Sequence, residues 1–246
     1  MMQISYRPLS GNALKIIGAA VMLIDHIGVL FFPRVIALRI IGRLAFPIFA
    51  YLIAEGCRHT KNRRKYFLNL LGFGVLFQLV YHSFTGSSHM NIFISYALSL
   101  PMIYSLQLLK DASNSKRTLQ ITAAFVSVIA SVVFAYVFHE SFSVDYGFEG
   151  TLVPFASSIC MSRGKLQDAK TQSAEHVLSV LFCGVSLILL AYPFRGVQIY
   201  SLLALPLLLA YSGKRGSASI KYFFYIFYPA HLVLLYGIKT LLNHLS

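Results

Sequence analysis

Apolar runs follow one another along this chain so closely that little sequence is left for anything else. A bilayer's hydrocarbon core is crossed by roughly 20 apolar residues in a helix. On that ruler, runs fall at approximately 12–32, 35–56, 66–84, 91–109, 119–138, 150–162, 174–192, 198–212 and 222–240. Of the 246 residues, 57% are apolar and 12% charged, whereas soluble domains sit nearer 45–50% and about 25%. Water cannot be the solvent for that much apolar surface. The expected fold is all-α, a polytopic transmembrane helix bundle of about nine spans forming one membrane domain over residues 1–246. The first run reads as a retained helix, not a cleaved leader, because the second begins at once near Val35.

Charge placement sets the expected orientation. Arg58, Lys61, Arg63, Arg64 and Lys65 fill the second gap. The fourth carries Lys110, Lys116 and Arg117, the sixth Arg163, Lys165 and Lys170, and the eighth Lys214, Arg215 and Lys221. Alternate gaps hold Arg34, Arg195 or nothing basic. Basic loops stay in the cytoplasm. This alternation implies a cytoplasmic N-terminus, an outer C-terminus and a short sixth run that crosses. The net charge of +13 then serves topology, and nucleic acid is excluded as a partner. Cys57, Cys160 and Cys183 show no metal-type spacing and read as packing residues.

Ionisable groups inside spans cost about 2.5–3.5 kcal/mol each and are usually paired or functional. Asp25 and His26 are adjacent in the first span. Neighbours on a helix diverge by about 100°, so each needs its own partner on another helix or in a cavity. His26 suits a general base, and Asp25 either orients a group or pairs with a cation such as Arg43. Arg39 and Arg43 share a face of the second span, with Arg39 near enough to the outer interface to snorkel. Pro47 marks a kink point. Glu55 reads as an interfacial carboxylate. Asp145, in an Asp-Tyr-Gly before the short sixth run, can dip into a cavity. Tyr225, Tyr228 and His231 share a face of the last span around Pro229. The 58–65 cluster is a topology signal that can also receive the phosphates of a cytosolic donor. No metal site, nucleophile elbow or phosphate loop is present.

These residues lie in stretches that resemble the TraX family of integral membrane proteins. The stretches are Leu14 to Gly28 (LKIIGAAVMLIDHIG), Arg39 to Tyr66 (RIIGRLAFPIFAYLIAEGCRHTKNRRKY), Asn91 to Leu100 (NIFISYALSL), Asp145 to Gly150 (DYGFEG) and Tyr222 to Tyr236 (YFFYIFYPAHLVLLY). The I-D-H-I-G and G-R-L-A-F-P-I-F-A blocks are the specific ones. The family's namesake is associated with acetylation of a conjugative pilin, and the family looks related to membrane acyltransferases fed by cytosolic acyl-CoA. The resemblance thus implies an inner-membrane, multi-pass acyltransferase using acetyl-CoA or another acyl-CoA and no metal. It places His26, Asp25, Arg43, Asp145 and His231 at the catalytic centre. Arg58, Lys61, Arg63, Arg64 and Lys65 would hold the donor, and a protein terminus, glycan or lipid head group would be the acceptor. The pilin substrate itself is not carried over. Two other readings fit the polar residues: a proton-coupled transporter relaying through Asp25, His26 and His231, and an assembly protein without catalysis.

Overall fold

The computed structural model describes residues 7–115, 117–163, 168–194, 196–216 and 223–245; Lys116, Lys165, Arg195 and Lys221 of the charge pattern lie outside them. In lipid a backbone must satisfy its own polar groups, which leaves helices or closed barrels. The described residues are all-helical, with two isolated β-bridges. In order they form α1 (Gly11–Phe31), α2 (Ile36–Gly42), α3 (Ala45–His59), α4 (Arg63–Thr85), α5 (Ile92–Ser115), α6 (Thr118–Ser141) and α7 (Gly147–Ser158). Then come α8 (Ala169–Phe194), the 3-10 helix η1 (Val197–Ala204), α9 (Leu205–Leu209) and α10 (Phe223–Leu245).

Every expected run is helical, but six are long and apolar enough to cross a membrane: α1, α2 with α3, α5, α6, α8 and α10. Helix α4 has the length but is diluted by residues such as Asn69, Gln78 and His82. Helix α7 has 12 residues, about 18 Å at 1.5 Å per residue. The η1–α9 segment covers 13 residues, Val197–Leu209.

The break between α2 and α3 falls at Arg43 and Leu44. Pro47 explains it: without an N–H, Pro47 leaves the Arg43 carbonyl without its i+4 donor. The Arg43 amide is shared between the Arg39 and Ile40 carbonyls, and the Leu44 amide reaches back three residues to Ile41.

The chain packs as two compact units divided inside α3 and α8, residues 1–49 with 187–246 and residues 50–186. In the first, α1 packs on α2 and on α10, and α2 on η1. The amides of Gly11 and Asn12 donate to the carbonyls of Lys214 and Arg215, and Ser10 caps Ala13. The free donors of the first turn of α1 are thereby satisfied.

In the second unit α5 packs against α4, α6 and α7. Ser95, near the start of α5, donates to the Asp145 carbonyl just before α7. Lys110, near the end of α5, donates to the Ser158 and Met161 carbonyls just after it. Helix α7 therefore runs parallel to α5 from Ser95 to Lys110, a rise of about 22 Å. The turn into α7 is tight. Tyr146 has φ +62°, and a Cβ on Gly150 would stand 2.4 Å from the Tyr146 Cβ. Helix α6, the most apolar span, has 17% of its apolar window buried; Phe125, Val126, Ile129, Val133 and Phe134 are exposed on it. Such a surface requires lipid or another apolar partner.

Candidate functional site

The first unit gathers four of the five expected central residues. Asp25 and His26 point to different neighbours, as adjacent helical positions must. The Asp25 carboxylate accepts from Arg43 Nη2 through both oxygens, at 3.2 and 3.0 Å. It also lies 2.7 Å from Arg39 Nη1. Arg43 Nη1 donates in turn to Gln198 Oε1 at 3.2 Å. The side chains of Asp25 and Arg43 are 13% and 12% exposed, so their charges meet in a largely desolvated setting, where pairing is needed to hold either one. Arg39, expected to snorkel to the interface, instead shares the Asp25 carboxylate. With both charged donors taken up by its oxygens, Asp25 serves as the anchor of two arginines.

Close helix approach makes this cluster possible. A Cβ on Gly42 would stand 2.1 Å from Asp25 Oδ1 and 2.3 Å from its Cβ. The absent side chain is the space Asp25 occupies.

His26 turns the other way, onto α10. Its Nδ1 lies 2.9 Å from the Met22 carbonyl and 3.1 Å from His231 Nε2. His231 Nδ1 lies 2.7 Å from the Phe227 carbonyl. A neutral imidazole has one N–H and one lone pair. A carbonyl oxygen can only accept, so each Nδ1 beside one carries the hydrogen. His231 Nε2 is then a lone pair, receiving the His26 Nδ1–H that Met22 also shares. What remains open is the lone pair of His26 Nε2, which makes no hydrogen bond among the described residues. Phe227 stacks on the His231 ring at 4.9 Å with planes 15° apart, and Tyr228 meets it edge-on at 5.8 Å. His231 is buried, at 4% exposure.

Asp145 belongs to the second unit, where its carboxylate pairs with His89 Nε2 at 3.0 Å on a half-exposed surface. Nearby, His139 Nε2 is 2.8 Å from the buried Thr151 hydroxyl. The 58–65 cluster divides. Arg58 donates to Glu175, at 3.4 Å, and Ser162 donates to the same carboxylate. Arg63 donates to Gln107 at 3.1 Å and lies over the Tyr104 ring at 5.3 Å. Lys61, Arg64 and Lys65 are exposed. Glu55 is buried and bonds His59 at 2.9 Å. At the start of α8, Asp168 accepts from the amides of Lys170 and Thr171 and from the Thr171 hydroxyl. The two amides hold its carboxyl below the ordinary range, the hydroxyl adding to them. Cys57 and Cys183 are buried free thiols, as packing residues would be. No group of three metal-ligating side chains occurs among the described residues.

Gln198 and Gly42 escaped the sequence reading. An amide inside an otherwise apolar run was the available signal for the first; the second is one glycine among 16, with nothing in the sequence to single it out.

Comparison with known proteins bears on the whole of this arrangement. A family model described as TraX protein matches residues 10–239. A relative from Dichelobacter nodosus, described as a probable fimbrial assembly protein FimC of serogroup H1, is 27% identical. The match covers 95% of this chain and 97% of the relative. No solved structure matches.

Proposed function

The chain belongs to the TraX family, and we propose that it is a multi-pass acyltransferase of the cytoplasmic (inner) membrane. It moves an acyl group, acetyl first among those to test, from cytosolic acyl-CoA to an amine or hydroxyl acceptor in the membrane or on its outer face. The observation that carries this reading is the imidazole pair: His26 is oriented by Met22 and His231 with its Nε2 lone pair left open. In the reaction, His26 Nε2 takes the proton from the acceptor as its nitrogen or oxygen bonds to the thioester carbonyl carbon. The C–S bond then breaks, and the departing CoA sulfur receives that proton back from His26. Asp25 and Arg43 act as a fixed dipole beside the imidazole, with Arg43 the group able to steady a developing oxyanion. His231 acts on His26, not on the substrate.

In this reading all nine helical runs cross, with the N-terminus in the cytoplasm and the C-terminus outside. The parallel course of α7 along α5, from Ser95 to Lys110, supports a crossing by the short sixth run. With the N-terminus in the cytoplasm, Lys110 and the 58–65 segment fall on the cytoplasmic edge. There Lys61, Arg64 and Lys65 are the cations open to donor phosphates, whereas Arg58 and Arg63 brace the edge through Glu175 and Gln107. The acceptor class is a protein terminus, a glycan or a lipid head group. The fimbrial description of the relative makes a fimbrial subunit the first protein acceptor to try.

The decisive experiment follows CoA release from acetyl-CoA by purified protein with candidate acceptors. His26→Ala should reduce the rate by 10²–10⁴-fold, the range for loss of a general base, while keeping its thermal midpoint. Unchanged turnover by that variant removes the base. The two aligned imidazoles also suit a second reading, a proton-coupled transporter; substrate-driven proton movement in proteoliposomes without CoA release would select it.

A further inference from the structure

The 3-10 helix η1 carries two polar atoms into the first unit with nothing to bond. Gln198 Nε2 and Ser201 Oγ are buried and have no hydrogen-bond partner among the described residues; their residues are 5% and 0% exposed. The amide cannot simply be turned over. Its oxygen faces the Arg43 guanidinium, and reversal would set N–H against N–H. The NH₂ group therefore points away from Arg43 with two protons to give. In a 3-10 helix residues i and i+3 eclipse, so Ser201 stands in the same row as Gln198. Ala204 completes that buried ridge.

Charge in this cluster is also unbalanced. Arg39 and Arg43 bring two cations and Asp25 one anion. Asp25 is the sole acidic residue in positions 1–49 and 187–246 of the sequence. Unmatched charge in a membrane span calls for a counter-ion. Finally, η1 runs for eight residues, where 3-10 stretches rarely exceed three or four because their hydrogen-bond geometry is poorer. It starts after Gly196, at φ +86°, and leads into Pro206.

We propose that Arg43, Gln198 and Ser201 form a binding site for a phosphate group, of a lipid head group or of a free phosphate, reached by a shift of η1. The group supplies the missing negative charge and accepts from the amide, the hydroxyl and the guanidinium together. This site shares Arg43 with the acyl-transfer reading but uses neither His26 nor a thioester, and its test reads binding through Gln198 and Ser201, so the two can fail separately.

The test is the thermal midpoint of the full-length protein in neutral maltoside micelles. One arm titrates inorganic phosphate against chloride at matched ionic strength; the other titrates dihexanoyl phosphatidylglycerol against a neutral diacylglycerol. A ligand bound by the native state raises the midpoint, here by about 3–5 °C for each tenfold rise of ligand above its Kd. A rise with phosphate identifies a free oxyanion, and a rise with the lipid alone identifies a head group. Ser201→Ala should lose at least half of the rise. Gln198→Glu keeps the side chain's size and supplies the charge internally, so its ligand-free midpoint should increase and its response disappear. No rise in either arm, or an undiminished rise in either variant, overturns the site.

Discussion

The two units place their charges differently. In the first, an aspartate and two arginines meet within spans, largely withdrawn from solvent. In the second, the ion pairs sit near helix ends: Arg58 with Glu175, His89 with Asp145 and Arg163 with Asp111. Between those ends, serines mostly bond their own backbone, as Ser99, Ser127, Ser131, Ser157 and Ser186 do. His89–Asp145 and Arg163–Asp111 are exposed pairs, screened and contributing little, whereas Arg58 and Glu175, each 12% exposed, are as withdrawn as the first unit's pair. A desolvated pair is costly to break and no stronger than an apolar filling of the same shape, so it is poor evidence for a purely stabilising role. The first unit, where such a pair stands in the same unit as the two hydrogen-bonded imidazoles, is the place to look for chemistry, and the second reads as the frame.

Three perturbations sharpen or break that contrast. The largest effect belongs to Asp25→Ala, which leaves the largely buried Arg43 guanidinium beside Arg39 without the carboxylate that both share and should destabilise by about 3–5 kcal/mol. Denaturation in detergent measures it, and Asp25→Ala combined with Arg43→Ala should cost less than the sum of the single changes. Additivity would show that the pair is not a coupled unit. Next is Gly42→Ala. The added Cβ would stand 2.1 Å from Asp25 Oδ1, and overpacking of this kind costs about 1–3 kcal/mol. A neutral effect would mean that Asp25 moves freely, contrary to its role as an anchor. The smallest effect lies on the rim of the second unit, at the exposed Asp168 cap of α8. Its carboxyl is held below the ordinary range by the Lys170 and Thr171 amides, so its contribution is present above the unfolded-state value of about 3.9. That contribution is lost as pH falls through the lower folded value. Asp168→Ala should therefore lower the midpoint at pH 7 slightly, with the gap from wild type closing in acid.

What could be read in advance divides along the same physical lines. Hydropathy placed all nine helical runs because in lipid each segment must satisfy its own backbone, a local rule that local sequence can answer. It also marked the break near Pro47, since the missing N–H acts four residues away along the same helix. The adjacency of Asp25 and His26 sufficed to say that they serve different partners. It did not say which. Arg39 looked like an interfacial side chain because depth along a helix is visible in sequence, whereas a carboxylate waiting on the next helix is not. Asp145 was grouped with the central residues, and its His89 partner in the second unit was not foreseen.

The sequence by itself determined a helical membrane protein, the order of its spans and the residue types too costly to be idle. Those follow from transfer energies and from periodicity, which are summed over neighbours in the chain. Only the tertiary structure decided that Gly42 makes room for Asp25, that Arg43 reaches Gln198 about 155 positions away, and that His231 faces His26. Such pairings depend on how helices far apart in sequence pack side by side. Packing of that kind is set by side-chain shape across the gap, which no stretch of one helix contains.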